Sequence, residues 1–146
     1  MGTCTDIRGQ RAFKGRDLLI SADLSMLKDA RDWAAGAAED FGMTADEACE
    51  IRLATSEAVT NAIIHGSRSR GDAVSLKARE DAGALVFEVR DAGADAAPPR
   101  PAAGPAALAE GGRGLQLVEM VMDEVELRRG SCGSLLRFVK RRAEAA

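Results

Sequence analysis

The chain has 146 residues, of which 46% are hydrophobic and 29% charged, and a formal net charge of -3. That fits one globular domain able to bury about two thirds of its unfolded surface. One Trp, four Phe and no Tyr, with a pI near 5.3, exclude an aromatic platform for single strands and a basic footprint for DNA or RNA.

Residues 1–17 form a polar lead-in in which Arg8, Arg11, Lys14 and Arg16 are followed by no apolar run, so no secretory leader is expected. No stretch reaches the length of a membrane helix. Cys4, Cys49 and Cys132 are odd in number and lack metal-type spacing, which predicts reduced thiols in a cytoplasmic protein. Leu18 to Ser21 reads as a short strand, and Ser25 as the cap of a helix carrying Leu27, Ala30, Arg31, Ala34 and Ala38 and closed by Gly42. Trp33 and Phe41 of that helix suit either the core or a homodimer surface.

A second helix starts after Thr44, whose spacing to Glu47 is that of a capping box, and runs to Gly66. Its apolar stripe is Ile51, Ala54, Ala58 and Ala62, flanked by Val59 and Ile63. Val74, Leu76, Ala78 and then Leu85, Phe87, Val89 alternate as two strands of a hairpin around Glu80 to Gly83. Residues 94–110 hold all four prolines, Pro98, Pro99, Pro101 and Pro105, and can be neither regular helix nor central strand. After Gly111, Gly112 and Gly114, a third helix is marked by Leu115, Val118, Val121 and Met122. Val125 to Arg129 and Leu135 to Lys140 close the domain as a hairpin around Gly130 and Gly133. Arg137, Lys140, Arg141 and Arg142 read as a solvated edge. This order predicts an α/β two-layer sandwich, a mixed but mostly antiparallel sheet covered by helices on one face.

Three polar features stand out from this frame. Glu57 and Asn61, four residues apart on the second helix, share one side about one turn from each other. An amide oxygen and a carboxylate so placed can ligate Mg²⁺ and polarise a hydroxyl, and Mg²⁺ takes only one or two protein oxygens beside substrate phosphates. Asp91 ends a strand and Gly93 lets backbone approach a ring. A buried carboxylate there accepts a hydrogen bond from the exocyclic amine of adenine, whereas the carbonyl of guanine meets it lone pair to lone pair. Gly112, Arg113 and Gly114 run into a helix start, where N–H groups and the dipole favour anionic oxygens. No GxxxxGK followed by Ser or Thr occurs, and Leu117 stands where a dinucleotide fingerprint needs its last glycine. Taken singly, the first pair describes many solvated helix faces, Asp-Ala-Gly many turns and Arg113 many surface arginines.

In order, SEAVTNAIIHG, VRDAGAD, GGRGLQLVEMVMDEVE and GSLLRFVKR resemble the successive boxes of the GHKL ATPase superfamily, most closely its RsbW-like branch of anti-sigma-factor serine kinases. The resemblance covers residues 18–141 and implies the Bergerat fold. It implies ATP and Mg²⁺ as cofactors, with Asn61 as metal ligand and Glu57 as general base. By the same likeness Asp91 and Gly93 bind adenine, Gly112, Arg113 and Gly114 hold the phosphates, and Ser134 places a hydroxyl beside the base. Residues 94–111 correspond to the ATP lid and 142–146 to a tail. The partners implied are a sigma factor and a small STAS-type antagonist phosphorylated on serine, with homodimers common and with neither direct nucleic-acid binding nor a membrane.

One position departs from the pattern: Asp95 stands where the family has the last glycine of its first glycine box. That favours a second reading, a non-catalytic nucleotide-binding module that sequesters a partner. A sensor histidine kinase is a poor third, because the single histidine, His65, lies within the second helix and is not expected to be catalytic.

Overall fold

The computed structural model describes residues 13–66, 72–91, 100–101, 113–130 and 133–142. In chain order these form β1 (Arg16–Ser21), a 3-10 turn (Leu24–Met26), α1 (Leu27–Phe41), α2 (Ala45–Asn61) and a π-helical turn (Ala62–Gly66). There follow β2 (Ala73–Asp81), β3 (Ala84–Asp91), β4 (Arg100–Pro101), α3 (Arg113–Val121), β5 (Glu124–Gly130) and β6 (Gly133–Arg141).

Local sequence explains the boundaries. Asp23, in place of the expected Ser25, caps the 3-10 turn by accepting the Ser25 N–H at 3.0 Å. Gly42 ends α1 with φ 96°, and the bonds from its own N–H to Glu39 and from the Met43 N–H to Ala38 complete a Schellman closure. The Thr44–Glu47 capping box is present in both directions, at 2.8 and 3.1 Å. The β2–β3 hairpin turns on two residues, Ala82 (φ 49°) and Gly83 (φ 82°), the positive dihedrals that match the strand twist.

The sheet order is β1-β2-β3-β6-β5-β4, and every described pairing is antiparallel. Among the described residues no parallel pair joins the mostly antiparallel mixture that was expected. The chain reverses three times between β1 and β2, into α1, from α1 into α2 and out of α2, so β2 returns opposite to β1, and β6 separates β3 from β5, which run the same way. Pro101 sits in β4 at the sheet edge, where its missing N–H costs no ladder bond.

One face of the sheet carries α1, α2 and α3. Ile51, Ala54 and Val59 of α2 pack in one core with Leu76, Phe87 and Phe138, all 1% exposed or less. Phe87 and Phe138 stack at 5.2 Å, and Trp33 meets Phe87 edge-on at 6.1 Å. Phe41 is buried and Trp33 packs against the same core, so both serve the interior.

Two of the four C-terminal cations, Lys140 and Arg142, do more than form a solvated edge. Arg142 lies 4.6 Å above the Phe41 ring and donates to the Phe41 carbonyl at 2.9 Å. Lys140, its side chain 14% exposed, bonds Glu50 Oε2 at 3.1 Å and the Val121 carbonyl at 2.8 Å. One ammonium thus ties β6 to α2 and to the end of α3. Lys140→Met keeps the apolar stem but strands two acceptors, and is expected to lower stability by about 1–3 kcal/mol in urea unfolding. Arg141→Met, which breaks only the exposed pair with Glu124, is expected to cost at most about 1 kcal/mol.

Candidate functional site

Lys140 also fixes the direction in which the site elements run. It holds Glu50 and Val121 at the end of β6. From there β6 runs back six residues to Ser134, about 20 Å. Over that distance α2 advances from Glu50 to Asn61, about 16 Å, and α3 returns from Val121 to Arg113, about 12 Å. Asp91 lies at the same end, because β3 pairs Arg90 with Leu135. The end of α2, the start of α3, the end of β3 and the start of β6 therefore open on one rim of the sandwich.

Glu57 and Asn61 are half-buried on the last turns of α2. The Asn61 Oδ1 atom is enclosed and has no hydrogen-bond partner. An enclosed acceptor left so is costly in a folded protein, and at this rim it is compatible with a ligand position. Directly after it the helix widens into the π-turn Ala62–Gly66, which packs against β3 and β6. Such turns concentrate at functional sites, and here the turn seats the Asn61 end of α2 on the two strands that carry Asp91 and Ser134. The π geometry has no signature in this sequence.

Asp91 is 4% exposed. It continues the inward row Leu85, Phe87, Val89, because alternate residues of a strand share a face. Its Oδ1 accepts the backbone N–H of Ser134 at 3.0 Å, a charge-assisted bond that orients the carboxylate. Sequence reasoning assigned Ser134 a hydroxyl role, whereas the contact found is main-chain and joins residues 43 positions apart.

Arg113 and Gly114 open α3, so their N–H groups are at a helix N-terminus, and the Arg113 side chain lies outside what is described. Gly93, Gly112, Asp95 and residues 94–111 other than Arg100–Pro101 lie outside the described residues, as do Cys4, Cys132 and the His65 side chain. The structure thus brings together Glu57, Asn61, Asp91, Ser134 and the start of α3. No helix among the described residues is long and apolar enough to cross a membrane.

A helical layer on one face of an antiparallel sheet, with an amide, a buried carboxylate and a helix start on one rim, is the architecture of an ATPase-type sandwich. The chain belongs to the histidine kinase-like ATPase domain family, whose model matches residues 20–140.

It is 30% identical over 119 residues to the serine-protein kinase RsbW of Bacillus licheniformis, covering 73% of this chain and 74% of that protein. It is 32% identical over 117 residues to the anti-sigma F factor of Thermoanaerobacter pseudethanolicus, covering 76% and 82%. A shorter match, 41% over 64 residues, links it to the anti-sigma F factor of Clostridium acetobutylicum, spanning 44% of this chain and 45% of that relative. In three dimensions it resembles the crystal structure of the RsbU and RsbW domains of a Mycobacterium tuberculosis protein, with a TM-score of 0.68 at 19% identity, over 90% of this chain and 33% of that one. That likeness concerns the fold alone.

Proposed function

We propose that the chain is an ATP-dependent serine protein kinase that also acts as an anti-sigma factor, switching between a sigma factor and a small STAS-type antagonist that it phosphorylates. The observation that carries this reading is the enclosed, unpartnered Oδ1 of Asn61 at the rim where Asp91 is held by Ser134. A hard amide oxygen with no protein donor fits Mg²⁺, which prefers oxygen ligands and few of them. Bound there, Mg²⁺ would neutralise phosphate charge.

This chain's own residues divide the remaining work. Asp91 selects adenine, and Gly93 lets the backbone approach it. The N–H groups at the start of α3, with Gly112, Arg113 and Gly114, hold the phosphates. Glu57, one turn before Asn61, accepts the proton of the serine hydroxyl as that oxygen attacks the γ-phosphorus of ATP, whose bond to the bridging oxygen breaks to release ADP. Phosphoryl transfer asks for positioning and charge neutralisation above all, so this short set suffices. The kinase domain, expected over 18–141 with its lid at 94–111, takes in Arg16 and Asp17 of β1 and the docked Arg142 as well, between a shorter lead-in and tail, in a cytoplasmic protein that can pair as a homodimer.

Asp95, an acid where the family has glycine, favours a second reading as a non-catalytic module, since a carboxylate facing phosphates weakens their binding. Incubation with γ-labelled ATP, Mg²⁺ and candidate STAS-type proteins separates the two. Label on a serine of one such protein is the expected result, whereas nucleotide binding without transfer to any of them points to the module.

A further inference from the structure

The face of the sheet turned away from the helices takes no part in the site above. Strand alternation places Ser75, Lys77 and Arg79 of β2, Glu88 and Arg90 of β3, Leu135 and Arg137 of β6, and Glu126 and Arg128 of β5 on it. Two contiguous depressions cross this face. One, of about 450 Å³, is lined by Lys77, Arg79, Arg90, Glu88, Ser75 and Leu135. The other, of about 240 Å³, continues from Glu88 and Leu135 to Arg137, Glu126 and Arg128.

Together they present five cations and two anions, on a chain whose net charge is -3. Both anions are already engaged: Glu88 by Arg79 at 2.6 Å and Glu126 by Arg128 at 2.5 Å. They also lie lower than their partners, Glu88 being 16% exposed beneath Arg79 at 56%, and Glu126 37% beneath Arg128 at 58%. Of the groups that line the two depressions, those that reach solvent are therefore mainly positive, while on the neighbouring β1 the exposed Asp17 stands opposite Lys77 at one end of the face. Lys77 and Arg90 are exposed and have no ion pair among the described residues. Ala84, Val86 and Val139 form a small buried apolar patch on the same face, next to Arg79.

We propose that this face is a docking groove for an extended acidic segment of a partner protein. Its length argues for a peptide over a small anion. The cations span four neighbouring strands, three steps of about 4.8 Å, or about 14 Å, which is roughly four extended residues. An isolated phosphate would meet the cations of one end only. Leu135, shared by both depressions, offers an apolar contact at the middle of the groove. Charge complementarity of this kind governs encounter and register and weakens with salt.

Fluorescence anisotropy of a labelled Glu-Glu-Leu-Glu-Glu-Glu peptide, titrated with the full chain, tests this directly. Saturable binding is expected. It should weaken about tenfold or more with Lys77→Glu and Arg90→Glu combined, and vanish near 1 M salt, where the Debye length is about 3 Å. Both residues are exposed, and an unchanged melting temperature checks that the variant folds. Lys28→Glu, on the helical face, and saturating Mg·ATP should leave the peptide bound. No binding, an equal loss with Lys28→Glu, or displacement by Mg·ATP or by millimolar inorganic phosphate would each overturn the proposal. So would sedimentation showing a dimer that the double reversal dissociates, which would assign the groove to a second copy of the chain.

Discussion

Exchanging Glu57 for alanine is expected to leave Mg·ATP affinity unchanged while lowering phosphoryl transfer to the antagonist by about 10²–10⁴-fold, the contribution of a positioned proton acceptor. The separation follows from where the side chain sits. Glu57 is half-buried on α2, one turn and about 6 Å before Asn61 along the axis, so it borders the phosphate end without being the metal ligand. Alanine is the best helix former, and α2 is held independently by its Thr44–Glu47 box and by the Lys140–Glu50 pair. A folding defect is therefore not expected to mimic loss of a base. Glu57→Gln, which keeps the shape and removes the basicity, should match the alanine variant. Single-turnover assays with labelled ATP measure the step itself, and a transfer rate equal to that of the unaltered protein would remove Glu57 from the mechanism.

The second large effect concerns base choice. Asp91→Asn keeps an oxygen to accept the Ser134 N–H, the bond seen at 3.0 Å, but turns an amide NH₂ toward the ring. A donor then faces the exocyclic amine of adenine. The mismatch costs roughly 1–3 kcal/mol, or about 5- to 150-fold in ATP affinity. The same NH₂ can donate to the guanine carbonyl, so the preference for ATP over GTP should shrink. Competition of the two nucleotides against a fluorescent ATP analogue reads both changes. An unaltered ratio would show that Asp91 does not meet the base.

How much of this was legible in the sequence depended on the range of the interaction. The Thr44–Glu47 box, the Gly42 stop and the Ile51, Ala54, Ala58 stripe are written within a few residues of themselves, and the structure has them all. The hairpins of β2–β3 and β5–β6 were equally local. Ser25 does not cap the helix as expected: Asp23 caps the 3-10 turn that leads into α1, and the N-cap of α1 itself, Met26, makes no side-chain capping bond.

Interactions over long separations were not readable. Lys140 finds Glu50 across 90 residues and Ser134 finds Asp91 across 43. Nothing in a basic C-terminal cluster distinguishes a tie to two helices from a solvated edge. In the candidate site, Glu57 and Asn61 declared themselves as a pair by helical spacing, and Asp91 by its place at a strand end. The orphaned oxygen of Asn61 and the π-turn behind it emerge only from packing.

The proposed function depends on Asn61 and Asp91 gripping the two ends of one nucleotide. Calorimetric titration of Mg·ATP into the protein, Asn61→Ala, Asp91→Asn and the double variant tests that dependence most directly. One nucleotide per chain is expected, weakened by either substitution, with the benefit of Mg²⁺ lost when Asn61 is absent. No heat of association with the unaltered protein, or an affinity that neither substitution changes, would contradict it.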